Sequence, residues 1–229
     1  MNTSPLRVRL ATAGLALGAI AFGVADVLRR AVEPAKTDTA SITAAVHDHA
    51  AAWTAAGLLA AAASFLLLAG VLAAGRSAPA RGAVLTILGG GLTVVGLLAS
   101  LIHTASFYGS YGVYAKSGAD PAAIHAIDSG SDSYPLFGIG IGLFTVGMLL
   151  GPILLTIGLR RAALVPVWVP IAAVVFAVSS SVSGIAAGVV GLVAAVATFG
   201  SIAMSQLRHA EPTTELATER RHRSTVAAL

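Results

Sequence analysis

Residues 162–207 contain no Asp, Glu, Lys, Arg or His. As one straight helix rising ~1.5 Å per residue, that run would be about 70 Å long, more than twice the ~30 Å thickness of a bilayer's hydrocarbon core. It must therefore fold back on itself. The only polar break near its middle is Ser179-Ser180-Ser181-Val182-Ser183-Gly184. The run thus predicts two apolar helices, near 163–179 and 183–205. Pro166 falls where the first of them begins, a position that tolerates proline. Pro170 predicts a kink.

Four more apolar runs precede it, at 10–28, 50–74, 83–107 and 136–159. Each has about the 20 residues a membrane span requires. The expected fold class is all-α: a polytopic membrane bundle of six transmembrane helices over residues 1–207, followed by a polar, disordered tail at 208–229. The composition agrees. Only 10% of residues are charged and mean hydropathy is +0.86, whereas soluble domains are about one quarter charged. The first run has an alternative reading as a cleaved signal peptide, from Arg7 and Arg9 and the small-residue triplet Ala19-Ile20-Ala21. The uncleaved reading fits the charge distribution without further assumptions.

A net charge of +4 does not mark a nucleic-acid binder, because the basic residues form no patch. They punctuate the ends of apolar runs, a pattern that sets membrane orientation. With the N-terminus inside, Arg7, Arg9, Arg76, Arg81, Arg160, Arg161, Arg208, Arg220, Arg221 and Arg223 are cytoplasmic. Arg29, Arg30, Lys36 and Lys116 lie outside. This bias places both termini in the cytoplasm of a cell-membrane protein. The inner turns are short, whereas the outer loops, 29–49 and 108–134, are long. Loops on a rigid scaffold are where function concentrates, so the working surface is expected outside.

Glycines four apart recur as Gly14/Gly18, Gly138/Gly142, Gly147/Gly151 and Gly184/Gly188, with Gly89, Gly90, Gly91 and Gly96 in the third run. Small residues at this spacing let helix backbones approach, and static packing is the expected role. The GIGIG stretch at 138–142 lacks the strand, helix opening and spacing of a nucleotide loop.

The absence of cysteine excludes disulfides, thiolate zinc sites, iron–sulfur clusters and cysteine nucleophiles. The remaining candidate ligands are His47, His49, His103, His125, Asp128 and Asp132, all on the expected outer side. Mixed His and carboxylate donors suit zinc or copper(II). On a helix His47 and His49 point about 200° apart, so one ion would require an extended segment there. Ile42, Val46, His49 and Trp53 recur at helical spacing, which instead predicts a helix beginning near Ser41 with His49 on its apolar side. Pairing the second and third runs symmetrically about their turn sets His103 level with Thr54, one or two turns below His49. The two imidazoles would then share an outer vestibule. A bis-His haem is disfavoured because only His103 lies inside a span.

Asp120-Pro121 is a helix start, with an N-cap oxygen followed by Pro at the first helical position. It predicts a short helix over 121–128 carrying His125 and Asp128 on one side. Phe107, Tyr108, Tyr111 and Tyr114 fit an interfacial aromatic belt. Asp26, one turn before Arg29 and Arg30, reads as an ion-paired interfacial anchor.

Enzyme chemistry finds little support. SSSVSG lacks the nucleophile elbow of a serine hydrolase, and no carboxylate or cation lies at mid-membrane, where ion-coupled carriers need one.

The stretch LGPILLTIGLRRAALVPVWVPI, with Gly151, Pro152, Gly158, Leu159, Arg160, Arg161, Pro166 and Trp168, resembles a feature of small actinobacterial six-helix integral membrane proteins classed under domains of unknown function. His49 at the mouth of the second run also fits. The resemblance implies a six-helix membrane protein and carries over no catalytic residue. The expected function is non-enzymatic: a partner subunit or homo-oligomer in the lipid bilayer, or a binder of lipid or apolar ligand. A His-rich metal protein and a permease for a neutral solute are the alternatives.

Overall fold

The computed structural model describes residues 5–33, 38–76 and 81–210. Eight helices account for nearly all of them: α1 (Pro5–Val32), α2 (Thr39–Asp48), α3 (Ala50–Arg76), α4 (Ala83–Ser117), α5 (Pro121–Ser133), α6 (Pro135–Arg161), α7 (Trp168–Ser181) and α8 (Ile185–Ala210). The expected tail lies, past Ala210, outside the described residues. Five helices, α1, α3, α4, α6 and α8, are long and apolar enough to cross a membrane. The sixth apolar helix, α7, has only 14 residues, or about 21 Å.

The six apolar helices form a ring in chain order. α1 packs on α3, α3 on α4, α4 on α6, α6 on α7, α7 on α8, and α8 returns to α1. Outward faces are strongly apolar, with Leu58, Phe65, Val84 and Ile87 all exposed. Such a surface suits an apolar solvent. Inside, Leu15, Leu67, Leu97, Leu155, Val169, Phe199 and Ile202 fill one half of the ring.

Glycine sets the tightest seam. Along α4 and α6, a Cβ built at Gly96 would meet the Met148 nitrogen at 2.8 Å, and one at Gly151 would meet the Thr93 nitrogen at 2.6 Å. Gly14 and Gly18 make the same close approach to Leu66 and Leu67 of α3. Static packing therefore explains Gly14/Gly18 and Gly147/Gly151. Gly138 and Gly142 face open space. Gly184 is no packing residue but a turn residue at φ +93°.

The predicted fold-back falls at the serine break. Ser179, Ser180 and Ser181 return their hydroxyls to the carbonyls of Phe176 and Ala177, which satisfies the three hydroxyls within the helix. Gly184 takes the left-handed conformation before α8. The other end departs from expectation. Residues 163–167 form a turn with Ala163 at φ 58°, and α7 starts only at Trp168. Pro170 is then the third residue of the helix. Its missing N–H belongs to the unpaired first turn anyway, so it starts the helix and does not kink it.

Much of both predicted outer loops is helical. α2 is capped by Asp38, whose carboxylate accepts from the Ser41 N–H at 3.0 Å and the Ser41 hydroxyl at 2.9 Å. These two bonds, the backbone one first, hold the Asp38 carboxyl below its ordinary range. α5 starts as predicted, with Asp120 accepting from the Ala122 N–H and Pro121 in the first turn, and it runs on to Ser133. α2 and α5 cover the end of the ring where α1 finishes. Trp53, Tyr111, Ile42, Val46 and Val32 form a second buried core beneath α2. The predicted aromatic belt is thus partly turned inward. The Trp53 indole N–H donates to the Tyr108 carbonyl at 3.0 Å, which makes burial of its polar atom affordable.

Candidate functional site

Below that cap the ring is not filled. A cavity of about 660 Å³ is lined by residues from α1, α3, α4, α6, α7 and α8, with Ile42 of α2 above. Its wall is mainly apolar and aromatic: Phe22, Phe107, Tyr108, Phe144 and Phe176 all contribute. His103 also lines it, stacked between Phe107 at 5.4 Å and Phe144 at 4.9 Å. No described residue hydrogen-bonds to its ring nitrogens. Four lining residues are also exposed at the bundle surface: Ile141 and Thr145 on α6, Ser180 and Ser181 on α7. α6 and α7 are the ring neighbours in slightest contact.

The charged part of the wall, Asp26, Arg29 and Glu33, comes from the end of α1. Asp26, Arg29, Arg30 and Glu33 are spaced i, i+3, i+4 and i+7, which puts them on one helix face. Arg29 donates to Asp26 at 2.9 Å and to Glu33 Oε2 at 3.2 Å. Arg30 donates through Nε to Asp26 at 2.7 Å. Its Nη1 reaches the carbonyls of Val182 and Gly184, and its Nη2 the carbonyl of Ser179. The guanidinium thereby closes the carbonyl end of α7, where a cation is favoured. Gly188 makes room for it: a Cβ there would sit 2.8 Å from Arg30 Cδ. Arg30 and Glu33 are 2% and 4% exposed.

The ledger of partners is nearly complete. Both oxygens of Asp26 accept, Glu33 Oε2 accepts, and the two guanidinium groups donate to all of them. One atom is left over. Glu33 Oε1 is buried without a hydrogen-bond partner, on a residue that lines the cavity. A buried polar atom without a partner costs about 1–3 kcal/mol, more when charged.

Asp26 pairs with Arg29 and Arg30 as its spacing predicts, whereas the burial of Arg30 and Glu33 corrects the expectation of a bundle without buried charge. The first apolar run ends by composition at Leu28, yet α1 continues to Val32 and packs its charged turn against α7 and α8. The signal was present in the spacing of DVLRRAVE, two acidic and two basic residues on one face. What could not be read was the neighbour on that face.

The candidate ligands scatter. His103 alone lines the cavity. His49 is exposed and sits at the break between α2 and α3, with φ −124° and ψ 36°. That break takes it off the stripe of Ile42, Val46 and Trp53, which are buried as expected. The register is also shifted. Ser64 and Ser100 meet at 3.1 Å, so His103, three residues past Ser100, lies level with Ala61, not Thr54, and His49 lies well above it. His47 is exposed and its Nδ1–H donates to the Ala115 carbonyl at 3.1 Å. His125 is exposed on α5. Asp128 accepts from Thr39 at 2.7 Å and from the Tyr111 hydroxyl at 3.1 Å, tying α2, α4 and α5 together. The Asp132 side chain lies outside the described residues. Among the described residues no three His, Asp or Glu side chains gather in a group that could hold a metal ion.

Compared with known proteins, the chain matches no family model, no curated protein and no solved structure.

Proposed function

We propose that this chain is a six-span integral protein of the cell membrane, with both termini cytoplasmic, that binds a small lipophilic molecule in the cavity within its helical ring. The observation that carries this reading is the cavity itself: about 660 Å³ of aromatic-walled space. Ligand sites are concave, mostly apolar and marked by a few convergent polar groups. Entry between α6 and α7, the loosest neighbours in the ring, admits a molecule already dissolved in the bilayer. The short α7 completes the sixth crossing together with the 162–167 turn, and the Arg distribution supports the orientation. The capped end, with α2 and α5, is then extracytoplasmic.

The test is photolabelling in nanodiscs of zwitterionic lipid with a diazirine-bearing dodecanol. Adducts should map to Phe22, Phe144 and Phe176 and be displaced by excess dodecanol. Ala60→Phe, which adds a ring to the cavity wall, should abolish them. Adducts confined to outward residues such as Leu58 and Ile87, with no saturable component, would overturn the reading.

A further inference from the structure

We propose that the ligand of this cavity is a lipophilic alcohol, its hydroxyl hydrogen-bonded to the imidazole of His103. The inference rests on the cavity being a ligand site and adds the chemistry of the ligand's polar end.

The charged part of the wall is spent on itself. Arg29 donates through Nε, Nη1 and Nη2 to Asp26 and Glu33. Arg30 gives its three nitrogens to Asp26 and the end of α7. Glu33 Oε1 lacks a partner but is sealed, and so is not open to a ligand. A headgroup of either charge finds no free counter-charge among these groups, and would have to break a buried ion pair to gain one.

Most of the uncharged polar wall is also occupied. The hydroxyls of Ser179, Ser180 and Ser181 donate to carbonyls of their own helix, and Ser100 pairs with Ser64. Thr145 is exposed on α6. His103, Thr104 and Tyr108 differ. They sit on one stretch of α4 that lines the cavity, and their side chains have no hydrogen-bond partner among the described residues. Their polar atoms are not sealed either. Among the described residues, the buried side-chain atoms without a partner are Glu33 Oε1, Thr198 Oγ1 and Gln206 Oε1.

His103 is the best placed of the three. Phe107 and Phe144 stack on it at 17° and 15° from parallel, which fixes the ring and leaves its edge free. That edge carries Nδ1 and Nε2, one donor and one acceptor in the neutral imidazole. Hydrocarbon packed against it would leave both unpaired, a costly arrangement. A carbonyl only accepts, so it would satisfy the N–H alone. A hydroxyl both donates and accepts, and it matches His103 and the hydroxyls of Thr104 and Tyr108 equally.

The experiment is competition against the dodecanol photolabel in zwitterionic nanodiscs, at neutral pH, by probes of one chain length: dodecanol, dodecan-2-one, dodecane, dodecylammonium and dodecanesulfonate. Dodecanol should displace the label at a bilayer mole fraction at least about tenfold below dodecane and both charged probes, equivalent to ~1.4 kcal/mol, and below dodecan-2-one. His103→Leu should remove most of the preference for dodecanol over dodecane and leave dodecane unchanged. Any other probe matching dodecanol, or an undiminished preference in His103→Leu, would overturn the hydroxyl assignment while leaving the cavity reading intact. Absence of any saturable label would overturn the cavity reading, and this inference with it. The wild-type ranking needs no variant, so it decides the question even if His103→Leu fails to fold.

Discussion

Arg30 Nη2 donates to the main-chain carbonyl of Ser179 at 3.2 Å, so the end of α1 closes the end of α7. The pairing solves two problems together. α7 stops short, inside the bundle, and leaves carbonyls without helical partners. α1 carries a guanidinium into a place with almost no water. Each is the other's remedy, and Asp26 balances the charge.

The first prediction follows from that closure. Arg30→Ala leaves Asp26 Oδ2 and three carbonyls without their donor, and breaking a buried ion pair by removing one partner costs about 3–5 kcal/mol. Arg30→Lys should recover little, since an ammonium lacks the planar fork that serves both Asp26 and the helix end. Thermal unfolding in mild detergent should show both variants well below wild type. A wild-type midpoint for Arg30→Lys would mean that charge alone suffices.

Glycine substitutions should separate seam from surface. Gly96→Ala forces α4 from α6, because the new Cβ would lie 2.8 Å from main-chain atoms of Gly147 and Met148. A loss of about 1–3 kcal/mol is expected. Gly138 faces open space, so Gly138→Ala should be neutral or raise stability by up to ~1 kcal/mol through helix propensity. The same detergent melts check the pair.

Asp128 should control the cap and not the ring. Its Oδ2 accepts from both Thr39 and Tyr111, and hydrogen bonds to a charged group contribute about 1.5–3 kcal/mol each. Asp128→Ala is expected to raise amide hydrogen exchange in residues 39–48 and 121–133 while leaving the core of α4 and α6 protected. Uniform deprotection would show that cap and ring unfold as one unit.

Orientation is directly measurable because the chain has no cysteine. His125 is exposed on α5, so His125→Cys should react with an impermeant thiol reagent in intact cells. Ser77→Cys, between the second and third apolar runs, should react only after permeabilisation. The reverse pattern would invert the proposed topology.

Taken alone, the sequence determined the helical bundle and most of its helix starts. Runs of apolar residues, the serine break and Asp120-Pro121 are local features, and helix formation and termination answer to local chemistry. It also carried the stripe of Ile42, Val46 and Trp53, since helical periodicity is local too. His49 escaped that stripe because the helix breaks there, which no periodicity reveals. The register of α3 on α4 was missed because it depends on the Ser64–Ser100 approach, not on symmetry about a turn. The cavity and its polar wall were decided by tertiary structure alone. Whether Asp26, Arg29, Arg30 and Glu33 meet solvent or one another depends on what packs over them, and the covering elements are the serine turn and Gly188, far along the chain. Burial and the pairing of buried charges are properties of the assembled ring, set by residues distant in sequence. The unpaired oxygen of Glu33 exists only after all the other partners have been assigned.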